Sequence, residues 1–249
     1  MFFRHFAASS ITLFSINGGT LSQIAQSHDD LRDKEKYHFD ATPFRKFLVH
    51  VLTLIFRLFM DLKVEGLENF PKEGAVIVAA NHVSNFDVFP MQISLPRPIF
   101  YMAKSNLFKN PIVAVLMRNV GAFPVERGIK DLWALDHAEK VLDHALVLGM
   151  FPEGTRSRGK GLGLAKTGAA RLAIKKQVPI IPMAIIGSDR FFSKFPKRNR
   201  VKVKLCKPIP PEKGENVLAL TDRVMYSLAE NLPPAMRGVY ADLAEGFDV

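Results

Sequence analysis

The feature that most restricts the fold is a set of short runs in which every residue is apolar or small: "AVIVAA" at 75–80, "LVLGM" at 146–150 and "VPIIPMAI" at 178–185. A strand with one wet face alternates apolar and polar residues, whereas a strand covered on both faces is apolar throughout. Segments with helical spacing lie between these runs. "DLWALDHAEKVLDHA" repeats Leu132, Leu135, Ala138, Val141, Leu142 and Ala145 on one side, and "KTGAARLAIKK" separates two of the apolar runs. Strand and helix patterns alternate at the spacing of α/β units, which predicts an α/β fold with a mixed, largely parallel sheet flanked by helices. Near the end, "RVKVKLCKPI" reads as a two-faced strand with its basic residues outward, and Val217, Leu220, Val224 and Leu228 mark a final helix before Pro233 and Pro234.

Two segments precede this pattern. Residues 1–28 carry Arg4 as their one formally charged side chain, alongside Phe2, Phe3, Phe6 and Phe14, and read as a poorly ordered or membrane-touching arm. Residues 47–60 are mostly apolar but shorter than the roughly 20 residues a membrane span needs, and His50 and Arg57 interrupt them. They suit a membrane-associating helix with Phe44, Phe47, Val51, Leu54, Phe56, Leu58 and Phe59 near the headgroup layer. Arg45, Lys46 and Arg57 would then reach lipid phosphates. The competing reading is a helix packed on the core. The expected division is an arm and interfacial helix over 1–60 and one α/β domain over 61–249.

The formal net charge of +10, from 34 Lys and Arg against 24 Asp and Glu, suits an anionic partner: nucleic acid, an anionic membrane surface or a phosphorylated substrate. The stretch 190–207, "RFFSKFPKRNRVKVKLCK", concentrates eight basic residues with no acidic one. It lacks an ordered series of aromatic residues for base stacking, which argues against nucleic acid. The lone Cys206 excludes an intrachain disulfide and reads as a small buried hydrophobe.

In an open α/β sheet, ligands bind outside the carboxyl ends of the strands. Three polar strings occupy such positions here: "NHVSNFD" at 81–87, "GAFPVERG" at 121–128 and "FPEGTRS" at 151–157. Their convergence would bring His82, Asp87, Arg127, Glu153 and Arg156 to one rim. His82 and Asp87 are five apart, about 140° off a common face in a continuous helix, so pairing them requires a loop that folds back into the first helical turn. Such a carboxylate would fix the imidazole tautomer and leave a base. A local capping network is the alternative for this pair. Ser84 reads as a turn former, so a substrate hydroxyl that attacks directly is simpler than an acyl-serine intermediate. Two-metal chemistry needs more Asp and His ligands than are present at this rim, and His137 and His144, seven apart, read as a solvated helix face. "FPEGTRSRGKG" suits an anion-binding turn, with Glu153 accepting substrate hydroxyls or holding an arginine, or else a solvated basic loop.

Taken together, "NHVSNFD", "GAFPVERG", "FPEGTRS" and "VPIIPMAI" resemble, in order and spacing, the four motifs of the glycerolipid acyltransferase family, over roughly residues 60–207. The resemblance implies His82 as general base and Asp87 as its orienting partner. It also implies Lys104 and Arg127 as phosphate contacts, Glu153, Gly154, Thr155 and Arg156 as the wall of the glycerol-phosphate site, and Pro182 near the acyl chain. The implied reaction moves a fatty acyl group from an acyl-CoA or acyl carrier protein thioester to the sn-2 hydroxyl of 1-acylglycerol 3-phosphate (lysophosphatidic acid), with no metal or other cofactor. Glycerol 3-phosphate, another lysophospholipid or another polar lipid is the alternative acceptor, and a noncatalytic membrane-binding or nucleic-acid-binding protein the distant one. The implied location is the cytoplasmic face of a bacterial inner membrane.

Overall fold

The computed structural model describes residues 30–34, 37–40, 42–126, 128–190 and 197–242. The arm at 1–28 and Arg127 therefore lie outside the described residues. The chain divides into two compact units, Met1–Lys36 and Tyr37–Val249. In the first, Leu31–Lys34 forms a 3-10 turn, and the Arg32 guanidinium pairs with the Asp30 carboxylate at 2.5 Å.

The second unit is a seven-stranded sheet. Its strands are β1 (Met60–Glu65), β2 (Val76–Ala80), β3 (Ile99–Lys104), β4 (Ala122–Val125), β5 (Val147–Met150), β6 (Ile180–Ile186) and β7 (Asn199–Leu205). Their spatial order is β1-β7-β6-β2-β5-β3-β4, and every neighbouring pair is parallel except β6 and β7. Parallel neighbours require crossovers. These are α2 (Val88–Ser94), α3 (Pro111–Asn119), α4 (Leu132–Asp143) and α5 (Gly168–Lys176), preceded by α1 (Pro43–Phe59) and followed by α6 (Val217–Glu230). Each crossover returns the chain to the same end of the sheet, so the carboxyl ends of β2, β3, β4, β5 and β6 share one rim.

The all-apolar runs are explained by cores on both faces. Along β2, Val76, Val78 and Ala80 point into one core with Met91, Leu95 and Val203, while Ile77 and Ala79 point into the other with Ala138, Val141, Ala173 and Leu220. Fully burying each such Val, Ile or Leu is worth about 1.5–3 kcal/mol, so a polar residue on either face would be costly. In β7 the alternation holds as the sequence predicts. Val201, Val203 and Leu205 are buried, while Arg200, Lys202 and Lys204 face outward. Cys206 is buried, and desolvation pushes its thiol up to about 11.

α1 differs from expectation at Arg45, Phe56 and Phe59, the last half-buried against the core. Phe44, Phe47, Leu54 and Leu58 form an exposed stripe, but Phe56 packs into the core and stacks on Phe89 at 3.7 Å. Arg45, expected among lipid phosphates, is 3% exposed. Its Nη2 donates to the Ile99 carbonyl at 3.1 Å, and its guanidinium lies over the Phe100 ring at 4.2 Å. The reason is angular: residues 45 and 56 fall on the side of the helix that faces the sheet, close to Leu48, Leu52 and Phe59. No helix among the described residues is long and apolar enough to cross a membrane.

His137 also differs. It is buried, stacked on Phe39 and Trp133, while His144 stacks on Phe39 at 4.4 Å. His137 is covered by the segment ahead of α1, which helical spacing alone does not reveal, while His144 at the end of the helix is exposed, as expected.

Candidate active site

β2 ends at Ala80, and Asn81 then extends its pairing by side chain. Asn81 Nδ2 donates to the Ile185 carbonyl at 2.9 Å, and its Oδ1 accepts from the Ile185 N–H at 2.7 Å. This side-chain pairing anchors the residue before His82 and so holds the turn in place. The chain then doubles back into α2, whose first residue follows Asp87. His82 Nδ1 lies 2.7 Å from Asp87 Oδ2. Both residues are buried, Asp87 completely.

The Asp87 carboxylate is the centre of a local network. Oδ2 also accepts the backbone N–H groups of Val83 at 2.7 Å and Ser84 at 2.8 Å. Oδ1 accepts the hydroxyl of Ser188, which follows β6 at the same rim. The capping network and the His-Asp pair are thus one arrangement. An ionised carboxylate only accepts hydrogen bonds, so pairing with it directs the Nδ1 N–H of a neutral imidazole to Asp87 and leaves Nε2 as the acceptor nitrogen. The imidazole stacks on Phe151 at 4.1 Å, which fixes its plane.

Ser84 is occupied as a turn former. Its Oγ accepts from the Phe86 N–H at 3.0 Å and lies 3.2 Å from the Ser188 carbonyl. That hydroxyl is therefore committed to the turn.

Glu153 follows β5 and is buried. Its Oε1 accepts the His82 N–H at 2.8 Å and its Oε2 the Gly163 N–H at 3.0 Å. Each oxygen holds a backbone donor, so Glu153 ties the histidine loop to the loop after 160. Burial raises its pKa from the ordinary 4.5, and the two backbone hydrogen bonds and His82 counteract part of that rise. The Ser157 N–H donates back to the His82 carbonyl at 2.7 Å, closing the link between the loops.

Gly154 has φ +67°, and a Cβ there would lie 2.9–3.1 Å from the Lys166 side chain. The left-handed backbone favours glycine here, and the flexible end of Lys166 lies over it. Thr155 and Arg156 are exposed beside it, and Lys104 is exposed at the end of β3. The loop after β4 that leads to Arg127 is anchored by Asp131. One carboxylate oxygen accepts the Glu126 N–H at 2.8 Å, and the other caps α4 at the Ala134 N–H, 3.0 Å.

A cavity of about 240 Å³ opens at this rim, lined by His82, Met102, Met150, Phe151, Gly154 and Lys166 among others. Its lining is apolar at residues such as Met102, Leu135 and Phe151 and also includes His82, Glu126 and Lys166. Sequence reasoning missed Asn81, Phe151, Lys166 and Ser188. The rule that named the other three rim strings applies equally to "GSD" at 187–189, the exit of the apolar run at 178–185, and would have found Ser188.

The family model for acyltransferases matches residues 61–186. The chain is 30% identical over 165 residues to the 1-acyl-sn-glycerol-3-phosphate acyltransferase of Bacillus subtilis, spanning 66% of this chain and 81% of that one. It is 32% identical over 133 residues to the enzyme of the same name from Borreliella burgdorferi, 53% of each. The crystal structure of the 1-acyl-sn-glycerophosphate acyltransferase PlsC of Thermotoga maritima superposes with a TM-score of 0.58 at 26% identity, over 75% of this chain and 81% of that one. The matched span runs from β1 through β6 and includes the whole rim from His82 to Glu153, and on that evidence the chain belongs to the acyltransferase family.

Proposed function

We propose that this glycerophospholipid acyltransferase moves a fatty acyl group from an acyl-CoA or acyl carrier protein thioester to the sn-2 hydroxyl of 1-acylglycerol 3-phosphate, giving phosphatidate. The observation that carries the reading is the 2.7 Å contact between His82 Nδ1 and a fully buried Asp87 at the mouth of a partly apolar cavity. Nε2 takes the proton of the acceptor hydroxyl as its oxygen attacks the thioester carbonyl. The tetrahedral intermediate then breaks its C–S bond, and the imidazolium returns the proton to the departing thiolate. General-base catalysis of this kind contributes about 10²- to 10⁴-fold. Direct transfer is favoured because the Ser84 hydroxyl is held in its turn.

Lys104, Arg127 and Arg156 hold the acceptor phosphate through charge-assisted hydrogen bonds, with Gly154 and Thr155 shaping the wall beside them. Glu153 acts as a positioning residue through the backbone of His82. Substrate and product are lipids, so the enzyme works at an anionic membrane surface. The exposed stripe of α1 and the outward bases of β7 support that attachment. The location that fits is the cytoplasmic face of a bacterial inner membrane.

The test is an acceptor panel with radiolabelled acyl-CoA and acyl carrier protein donors, with products separated by chromatography. Label mainly in phosphatidate is the expected result. Failure with 1-acylglycerol 3-phosphate under conditions where glycerol 3-phosphate or another lysolipid reacts would overturn the acceptor assignment.

A further inference from the structure

α1 presents two different surfaces to solvent. Its apolar stripe is Phe44, Phe47, Leu54 and Leu58. About 100° around the axis, Lys46, His50 and Thr53 line a cavity of about 310 Å³ between α1, the end of α2 and the residues leading into β3. This cavity lies at the amino ends of the parallel strands. Arg97 in its wall donates to the carbonyls of Gly74 and Ala145, just ahead of β2 and β5, at 2.8 and 2.7 Å. His82 is at the opposite rim, so this cavity is separate from the acyl-transfer site.

The charge in the cavity is unbalanced. Arg45, Lys46, His50 and Arg97 line it, and no carboxylate does among the described residues. Arg97 is partly offset by its carbonyl partners and by Glu73, which acts on it from outside the lining. Arg45 is not offset in that way. Its one hydrogen bond uses Nη2, while Nε and Nη1 are buried without a partner. Burial pushes its guanidinium down to about 10, so it stays cationic at neutral pH. Gln92 forms part of the same wall. A buried cation without an anion is costly, and the domain carries it beside Lys46, His50 and Arg97 on an open cavity.

We propose that the cavity lined by Lys46, His50 and Arg97, with the buried Arg45 cation behind its wall, is a binding site for a phosphate group. The phosphate comes from the headgroup of an anionic phospholipid or from free phosphate in solution. The apolar stripe on the same helix makes the lipid source the natural one, since a helix lying in the interface holds Lys46 and His50 at headgroup level. The proposal is independent of which acceptor the catalytic site uses.

Two measurements on the full chain test it. In the first, thermal midpoints are read in inorganic phosphate at constant ionic strength. Wild type should rise with phosphate. Gln92→Glu, which introduces a carboxylate of the same shape, should start higher and gain nothing further, and Lys46→Glu should lose the response. In the second, flotation compares vesicles of phosphatidylcholine alone with vesicles that also contain phosphatidylglycerol. Lys46→Glu should lose about tenfold of the preference for phosphatidylglycerol, and more than Arg57→Glu, the same charge change outside the cavity. Loss in both assays, or in flotation alone, supports the site with a lipid source. Loss of the phosphate response alone supports it with free phosphate as the source. Phe47→Ser should weaken binding to both vesicles and leave the phosphate response intact, which separates failure of membrane attachment from failure of the site. Variants that match wild type in the phosphate assay, together with a flotation loss in Lys46→Glu no greater than in Arg57→Glu, would overturn the proposal.

Discussion

The Asp87 carboxylate oxygen that meets His82 Nδ1 at 2.7 Å also accepts the N–H groups of Val83 and Ser84, so one atom both builds the turn and orients the imidazole. Asp87→Asn tests the two roles separately. An amide oxygen still accepts all three donors, and its NH2 can donate to the Ser188 hydroxyl, so the fold should survive. The negative charge that stabilises the imidazolium is lost. Acyl transfer should fall by about 10²- to 10⁴-fold, as it should in His82→Ala, with circular dichroism and the thermal midpoint near wild type. Near-normal transfer by purified His82→Ala would exclude the general-base assignment.

Ser188 holds the other Asp87 oxygen from β6 and is completely buried. Ser188→Ala removes a hydrogen bond to a charged group, worth about 1.5–3 kcal/mol. Urea unfolding should show a loss of that order. If Ser188 positions the carboxylate, kcat should drop about tenfold with KM little changed, whereas a purely structural role would leave kcat alone.

Glu153 gives a pH signature. Burial raises its folded pKa above the ordinary 4.5, so the folded state holds the proton more tightly than the unfolded chain. Its contribution to stability is complete below pH 4.5 and is lost as pH rises through the raised folded value. Glu153→Gln should abolish that slope in a series of urea titrations across the window. It should also cost about 1–3 kcal/mol, because the amide NH2 opposes a backbone N–H at either His82 or Gly163.

Gly121 packs against the buried arginine. With φ +88°, a Cβ there would lie 2.4 Å from the Ile99 carbonyl oxygen and 2.6 Å from Arg45 Nη2. Gly121→Ala therefore combines backbone strain with displacement of Arg45 from its carbonyl partner. We expect a loss of more than about 2 kcal/mol, read by denaturant midpoint, with no change in the retained protein's KM.

Phe47 is 64% exposed on the outer side of α1. Phe47→Ser should leave stability within about 0.5 kcal/mol while lowering vesicle partition several-fold. Equal flotation by wild type and variant would remove this helix from the membrane contact.

The sheet was legible in the sequence because burial on both faces leaves an unmistakable trace, runs such as "AVIVAA" with no polar position. The rim was legible for the same reason, since polar strings such as "NHVSNFD" that interrupt those runs mark where the strands stop. The family resemblance added roles to His82 and Asp87 that spacing alone left open, and the fold sets the two side chains 2.7 Å apart.

What sequence periodicity could not supply was the partner of each polar side chain. Glu153 looked like a group for substrate or arginine, yet its oxygens meet two backbone N–H groups contributed by residues 71 and 10 positions away. Arg45 looked like a headgroup contact because nothing in the local sequence shows that residue 45 faces Ile99 and Phe100 across the sheet. Ser188 reaches Asp87 only because β6 lies beside β2 in the sheet order. Short apolar runs and helical spacing are local, so the sequence by itself determined the elements and the rim of this protein. Hydrogen bonds and buried charge depend on neighbours distant in the chain, so only the tertiary structure decided which side chains orient the imidazole, which loops are tied together, and which cation is left without an anion.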